Sequence, residues 1–385
     1  LADILLFSVG LAGCGYVMVT LGIAFFGARG LRPLSGIPLD DAPLPKLSVI
    51  VPACNEAAEI EACLRSLAAQ DYPDLEIVAV NDRSTDETGA IMDRLAPELP
   101  TLRVLHIEEL PAGWLGKNHA NHVGAKAADG EWLLFTDGDI KFDAGALRRA
   151  VTHVHREAVD HLAVFPGLVF GGFWETAMVC FFAFIFSLHF KPWRIRNPLY
   201  PDTYCGVGAF NLVRRSAHDA IGGHEPLRME VVDDVKTGKV LKARGFVSDA
   251  LPGEQLVRVR WQHGFWGVIR GLEKNAFAGA EYSIFKSVAG AMLLATIGLG
   301  PIAGASLVAW PWAIPFWVWG FVVVAAFGYS SYRLQASPLI GLTAPIVAAA
   351  LAFAVLRSLV LTQFRGGVRW RGTFYPLAEL KAGLA

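Results

Sequence analysis

Charge is what this chain has little of. Only 18% of its 385 residues are Asp, Glu, Lys or Arg, and 34 basic residues against 35 acidic ones leave a net charge of -1. A nucleic-acid-binding surface needs a basic stripe, so this balance excludes that class of partner. Cysteine is scarce too. Cys14, Cys54, Cys63, Cys180 and Cys205 are odd in number, keep no metal-ligand spacing, and two of them lie in apolar segments. They fit a reducing compartment rather than a disulfide framework. No internal repeat or low-complexity stretch interrupts the chain. With 54% hydrophobic residues and a mean hydropathy of +0.41, it is too apolar for one soluble domain and too charged for a bare membrane bundle. Two environments are expected.

The apolar part is concentrated in long runs. Ile4 to Phe26 carries no charge and is followed by Arg29 and Arg32. It reads as a retained membrane helix whose positive flank puts the next segment in the cytoplasm. Ser287 to Tyr332 has no charged residue, enough for two spans turning at Trp310-Pro311-Trp312, and Leu334 to Leu356 is a further uncharged run. Four full spans would put the carboxyl tail outside, yet Arg365, Arg369 and Arg371 favour the cytoplasm. Either one segment is re-entrant or the charge rule fails here.

Between these runs the pattern changes. Residues 33 to 46 are a Pro-containing linker. Strands are predicted at Leu47–Pro52, Leu75–Val80, Leu102–Ile107 and Trp132–Phe135, and helices at Ala57–Gln70, Thr85–Leu95 and Asn118–Ala128. Strands alternating with helices predict an α/β fold, a mostly parallel sheet covered on both faces. Two later stretches read as interfacial or core helices rather than spans. Phe170 to Phe190 is Phe-rich but interrupted by Glu175 and His189. Gly264 to Ala280 sets Phe265, Trp266, Ile269, Leu272 and Phe277 near one face and Arg270 and Lys274 on another, as a helix lying on anionic lipid requires.

The chemistry-bearing residues stand at strand ends. Trp132 to Phe135 delivers Asp137 and Asp139, separated by Gly138, to the place where an open α/β sheet holds its ligands. Two such carboxylates suit a hard divalent cation that keeps other positions for phosphate and water. A lone Asp-x-Asp is otherwise a solvated turn. Asn81-Asp82-Arg-Ser-Thr-Asp86 follows the second strand and offers a carboxylate to a nucleoside, or caps a helix. Asn55 and Glu56 end the first strand in the same layer. In Pro111-Ala-Gly-Trp-Leu-Gly116-Lys117-Asn118, two glycines permit close backbone approach and Lys117 supplies a point charge for phosphate, or is simply solvated.

Val-Pro-Ala-Cys-Asn-Glu, Val-Asn-Asp-Arg-Ser-Thr-Asp-Glu-Thr, Gly-Trp-Leu-Gly-Lys and Phe-Thr-Asp-Gly-Asp, in this order, resemble the successive signatures of family 2 glycosyltransferases. The resemblance covers roughly residues 46 to 280 and is strongest to membrane-bound members of hopanoid, carotenoid and glucosylceramide pathways. It implies a GT-A nucleotide-sugar fold in which Asn55, Glu56, Asp82 and Lys117 bind the nucleotide sugar. Asp137 and Asp139 would hold Mg²⁺ or Mn²⁺ with the diphosphate. In Val231-Val-Asp233-Asp234, Asp234 matches the catalytic base and Asp233 its acidic neighbour, although two carboxylates opening a helix also complement its dipole. The loop Cys205-Gly206-Val-Gly and His224 resemble the acceptor side, with a structural histidine as the alternative. Val257-Arg-Val-Arg260-Trp261 departs from the Gln/Arg-x-x-Arg-Trp pattern at its first position, which leaves Arg260 and Trp261 as donor-site candidates but weakens a processive synthase.

The expected organisation is a transmembrane helix (1–32), a cytoplasmic catalytic domain (33–263), an interfacial helix region (264–286), membrane segments (287–362) and a basic tail (363–385). The expected activity is metal-dependent, inverting transfer of a hexose from a nucleotide sugar, UDP-linked, to a lipid acceptor in the bilayer of the inner membrane. The competing readings are a polysaccharide synthase and a non-catalytic assembly subunit with a decayed transferase fold.

Overall fold

The computed structural model describes residues 2–39 and 43–385 and falls into two compact units. Helices numbered along the chain are α1 (Ala2–Arg29), α2 (Ile60–Ala68), α3 (Thr88–Leu95), α4 (Gly116–Ala127), α5 (Ala146–Arg156), α6 (Phe173–Phe190) and α7 (Arg215–Ala220). They continue as α8 (Asp233–Ala243), α9 (Gly264–Gly279), α10 (Ile284–Leu307), α11 (Ile314–Arg333), α12 (Ala344–Arg365) and α13 (Leu377–Ala382).

The α/β unit (Gly30–Val169, Pro192–Arg260 and Arg369–Ala385) is built on eight strands. These are β1 (Leu47–Ala53), β2 (Leu75–Asp82), β3 (Leu102–Ile107), β4 (Trp132–Phe135), β5 (Lys141–Phe142), β6 (His161–Leu168), β7 (Asn211–Arg214) and β8 (Ser248–Val259). Their order is β3-β2-β1-β4-β7-β6-β8-β5. The first four run parallel, whereas β7 is antiparallel to both β4 and β6, and β5 to β8, so the sheet is mixed. All seven residues of β1 are buried, as its unbroken apolar run requires for a strand covered on both faces.

The order 3-2-1-4 reverses direction between β1 and β4, and a crevice opens outside the carboxyl ends at such a point. Pro52 marks it. β1 pairs with β4 only from Leu47 to Ile50 but with β2 as far as Ala53. Thr136 N donates to Ile50 O at 3.1 Å, so alternate residues of β1 face β4, and Pro52 falls where that neighbour has turned away. A residue without an N–H is tolerated there because no ladder bond is lost.

The second unit (Leu1–Arg29, Phe170–Lys191 and Trp261–Val368) is helical. Among the described residues, five helical segments are long and apolar enough to cross a membrane: Asp3–Gly36, Phe173–Arg194, Ile284–Leu307, Ile314–Arg333 and Pro338–Arg365. Small residues set their contacts. Phe316 lies against Gly10 and Gly304, and Trp319 against Gly13 and Gly300, which joins α11 to α1 and, antiparallel, to α10. After α11 the chain doubles back. Pro338 and Gly341 rest on Gly328 and Val324, Ala348 meets Gly298 midway along α10, and Ser358 Oγ then accepts from Phe277 N at 3.0 Å in α9.

Two expectations change here. Glu175 does not merely interrupt an apolar run. It is 3% exposed, and its carboxylate accepts from Gly264 N (2.6 Å) and Gly171 N (2.8 Å), neutralising the first turn of α9. Phe277 is fully buried beside Tyr282, so it is not on the open face of α9; Trp266, 59% exposed, is. The basic tail also has structure. Strands β9 (Gly367–Trp370) and β10 (Thr373–Pro376) form a hairpin followed by α13. Arg371 and Gly372 at its tip have φ of +48° and +83°, the positive values a two-residue hairpin loop of the primed type demands.

Candidate active site

The carboxyl ends of β1, β2 and β4 each contribute a loop to the crevice. Past β1, Asn55 adopts φ +57°. Its side-chain oxygen accepts from Thr85 N (2.8 Å) and Asp86 N (3.3 Å), and its own N–H donates to Ser84 Oγ (3.0 Å). Asn55 therefore ties the β1 loop to the β2 loop. Glu56 N donates to Thr88 Oγ1 at 2.8 Å, and the Glu56 carboxylate pairs with Arg371. Burial raises the Glu56 carboxyl above its ordinary range, with Arg371 opposing.

Past β2, Asp82 is 3% exposed and held in a fork by Arg83, Nε to Oδ1 at 2.8 Å and Nη2 to Oδ2 at 3.1 Å. The start of α4 presses on this pair. A Cβ at Gly116 would stand 2.3 Å from Asp82 Oδ2 and 2.7 Å from Arg83 Nη2, so a larger residue there would displace the pair. One residue on, Lys117 Nζ reaches Asp137 Oδ1 at 2.6 Å and Asp233 Oδ1 at 3.8 Å. Burial alone would lower the lysine's pKa, but Asp137, Asp233 and Asp234 outweigh it and hold the group firmly cationic.

Past β4, Asp137 N donates to Gly208 O at 3.0 Å. Asp139 sits deeper, and its carboxyl is pushed up to about 7 by burial, then by Asp137 and Glu56. A buried carboxylate crowded by two others is the environment a hard cation relieves. Among the described residues no three His, Cys, Asp or Glu side chains form a complete metal site, so a cation on Asp137 and Asp139 would need ligands from elsewhere.

The residues expected on the acceptor side come from β7's approach and α8. Asp234 Oδ2 accepts from Gly208 N at 2.7 Å and its Oδ1 from Val235 N at 2.8 Å, leaving lone pairs on both oxygens. Asp233 is 5% exposed and accepts from Asn121 Nδ2 at 3.4 Å. Gly206 lets α8 approach, because a Cβ there would fall 1.8 Å from Asp234 O. The three charged groups converge on Gly208. A Cβ built on it would lie 2.6 Å from Asp137 Oδ2, 3.3 Å from Asp234 Oδ2 and 3.4 Å from Lys117 Nζ.

Not every candidate joins this cluster. His224 lines the same recess but is 2% exposed, packed on Phe135 at 4.5 Å, with Nδ1 3.0 Å from His218 Nε2. Burial first, then His218, hold it neutral. Arg260 is exposed past the end of β8, and Trp261 falls in the helical unit, stacked on Phe182 with ring centroids 4.3 Å apart. Conversely, Asn211, which reaches Asp234 O at 3.5 Å and is held by His161 at 2.6 Å, lies in the recess without having been singled out. Arg371, Thr373 and Tyr375 were missed as well; their alternation after an Arg-Gly pair was the available signal.

Residues 48–222 match the family described as Glycosyl transferase family 2, a match that ends before Asp233. Among curated relatives, "Uncharacterized glycosyltransferase EpsJ" of Bacillus subtilis is 32% identical over 117 residues, 30% of this chain and 33% of that protein. The GalNAc(5)-diNAcBac-PP-undecaprenol beta-1,3-glucosyltransferase of Campylobacter jejuni is 33% identical over 104 residues, 27% of this chain and 33% of its own. A PGL/p-HBAD biosynthesis glycosyltransferase of Mycobacterium bovis is 36% identical over 111 residues, 29% and 42% respectively. The chain thus spans well under half the length of each. Among solved structures, the mannosyltransferase PcManGT from Pyrobaculum calidifontis, in complex with GDP-Man and Mn²⁺, has a TM-score of 0.61 at 19% identity, over 94% of this chain and 99% of that one. This likeness is one of fold. Residues 48–222 of this chain thus match the family 2 glycosyltransferase model, on a GT-A-like mixed sheet accompanied by apolar helices long enough to span a membrane.

Proposed function

We propose that this chain is an inverting, membrane-embedded glycosyltransferase that moves a hexose from a UDP-sugar to a hydroxyl or carboxyl of a membrane lipid. The observation that carries the reading is the convergence on Gly208 of Asp137, Lys117 and Asp234, which brings a donor-side anion, its counter-charge and a candidate base within one sugar's reach. Asp82 and the loop at Gly116 receive the nucleoside. Asp137 and Asp139 would hold Mg²⁺ or Mn²⁺, a fit supported by the crowding of the Asp139 carboxyl by Asp137 and Glu56 and by the Mn²⁺ in the PcManGT complex. When bound, the cation offsets charge on the departing diphosphate. Asp234 takes the proton of the acceptor hydroxyl, whose oxygen attacks the anomeric carbon as the bond to the diphosphate breaks on the opposite face. Asp233 and Asn211 position Asp234, and Lys117 keeps Asp137 ionised. His224, behind Phe135, shapes the recess rather than meeting the acceptor.

The apolar helices support a lipid acceptor, as does a relative whose name places its acceptor on PP-undecaprenol. Chain parity supports a multi-pass inner-membrane protein with the α/β unit cytoplasmic. The chain leaves this unit after Val169 and rejoins it at Pro192, leaves again after Arg260 and rejoins at Arg369, so each excursion crosses the bilayer an even number of times. On that count α6 does not cross, α10 and α11 cross as a pair, and the segment Pro338–Arg365 enters and leaves on one side. Arg333, Arg365, Arg369 and Arg371 then all lie in the cytoplasm. The test is to supply purified protein in lipid nanodiscs with Mn²⁺ and UDP-hexoses, measuring UDP release and the mass of the lipids. A lipid heavier by one hexose supports the reading. No UDP release with any hexose donor, or growth of a polysaccharide instead, overturns it.

A further inference from the structure

Residues 371, 373 and 375 alternate along the hairpin tip and β10, and a strand sends alternate side chains to one face. Each of the three meets a different loop of the crevice. Arg371 Nη1 donates to Asn55 O at 3.3 Å and its Nη2 pairs with Glu56, at the end of β1. Thr373 Oγ1 accepts from Arg83 Nη1 at 3.5 Å, at the end of β2, where Arg83 forks Asp82. Tyr375 Oη accepts from Gly116 N at 3.2 Å, at the start of α4. Phe374, between them, is 43% exposed. Three strand-end loops that come from widely separated stretches of sequence are thus bridged by one short strand from the far end of the chain.

Anchoring alone does not account for Arg371. Tyr375 is 6% exposed and Leu380 of α13 fully buried, so apolar burial already docks this segment. The Arg371 side chain is instead 45% exposed. Its partner Glu56 stands between it and the Asp-Gly-Asp loop, since a Cβ on Gly138 would lie 3.7 Å from Glu56 Cγ. Only one carboxylate separates the guanidinium from the residues expected to hold the metal and diphosphate. A planar fork of five N–H donors matches phosphate oxygens, and these contacts use Nη1 and Nη2 once each.

From this juxtaposition we propose that the hairpin is a wall of the donor site, in which Arg371 binds the diphosphate of the nucleotide sugar while Thr373 and Tyr375 position the loops that receive the nucleoside. This rests on the nucleotide-sugar reading above. The test uses the intact chain in detergent micelles with Mn²⁺, titrated calorimetrically with UDP and with UMP. Arg371→Ala is expected to weaken UDP binding about tenfold or more, the scale of a lost charge-assisted hydrogen bond, while UMP binding changes less than threefold. Arg371→Lys, which keeps the charge without the fork, falls between. Equal loss of UDP and UMP affinity would make Arg371 a docking residue and overturn the proposal, as would tight UDP binding by Arg371→Ala. Failure of the unaltered chain to bind either nucleotide would overturn the donor reading itself.

Discussion

Gly206→Ala adds a single methyl whose effect follows from one close approach in the fold. The new Cβ would stand 1.8 Å from the carbonyl oxygen of Asp234, against the 3.0 Å below which real Cβ contacts essentially never occur. Loop and helix must therefore separate by at least about 1.2 Å, and neither side is a flexible side-chain end. Gly238, one turn along α8, has the reciprocal constraint: a Cβ there would lie 2.2 Å from Cys205 O. The displaced group is the backbone that aims the Asp234 carboxylate, while Asp82, Asp137 and Lys117 are carried by other elements. A misplacement near 1 Å costs on the order of 100-fold in a step that depends on orientation. Overpacking should also cost roughly 1–3 kcal/mol of stability. We expect kcat to fall about 100-fold, UDP affinity to stay within about threefold of the unaltered protein, and Gly238→Ala to act similarly. Steady-state kinetics on lipid nanodiscs, with calorimetric titration of UDP, reads both quantities. A kcat within threefold of the parent for both variants would refute the idea that glycine-mediated approach of α8 sets the base.

Asp139→Ala should abolish the Mn²⁺ dependence of UDP binding, because one remaining carboxylate is too little for a hard cation; undiminished metal dependence by calorimetry would sink that ligand assignment. Lys117→Met leaves Asp137, Asp233 and Asp234 without their shared counter-charge and should lower stability by about 3 kcal/mol, measured by denaturant unfolding. A loss below about 1 kcal/mol would mean that water already screens the cluster. Single cysteines placed at positions 336 and 310 should label from opposite sides of the membrane, with 336 on the side of the α/β unit; labelling from the same side would exclude the α10–α11 crossing pair.

The first half of the sheet was legible because β1, β2 and β4 are short apolar runs ending in polar residues, and their buried register leaves no alternative. The second half was not. β6 carries Pro166 and Gly167, β8 carries Pro252 and Gly253, and their pairing shifts register at these positions, so neither reads as an uninterrupted strand. What β7 does depends on partners far away in sequence. In the site, Asp137, Asp234 and Lys117 were visible as charged residues beside glycines, but only coordinates bring them to Gly208. For Asn55 the sequence shows a polar residue at a strand end, and the structure adds that its oxygen accepts from Thr85 N and Asp86 N. For Trp261 the sequence offers only the Arg-Trp pair, and the structure adds that its ring stacks on Phe182. The tail was read from its arginines alone, and charge conceals the alternation of Arg371, Thr373 and Tyr375. The parity conflict among the membrane segments is not one the sequence decides; the re-entrant segment proposed above rests on the tail's return to the α/β unit.

The central claim is that Asp234 is the base, and turnover of Asp234→Asn against Asp233→Asn tests it most directly. With UDP affinity measured in parallel, the account predicts that Asp234→Asn binds nucleotide nearly as the parent does while kcat falls by roughly 100-fold or more, and that Asp233→Asn is milder. Turnover by Asp234→Asn within threefold of the parent, or a deeper loss from Asp233→Asn, would contradict it.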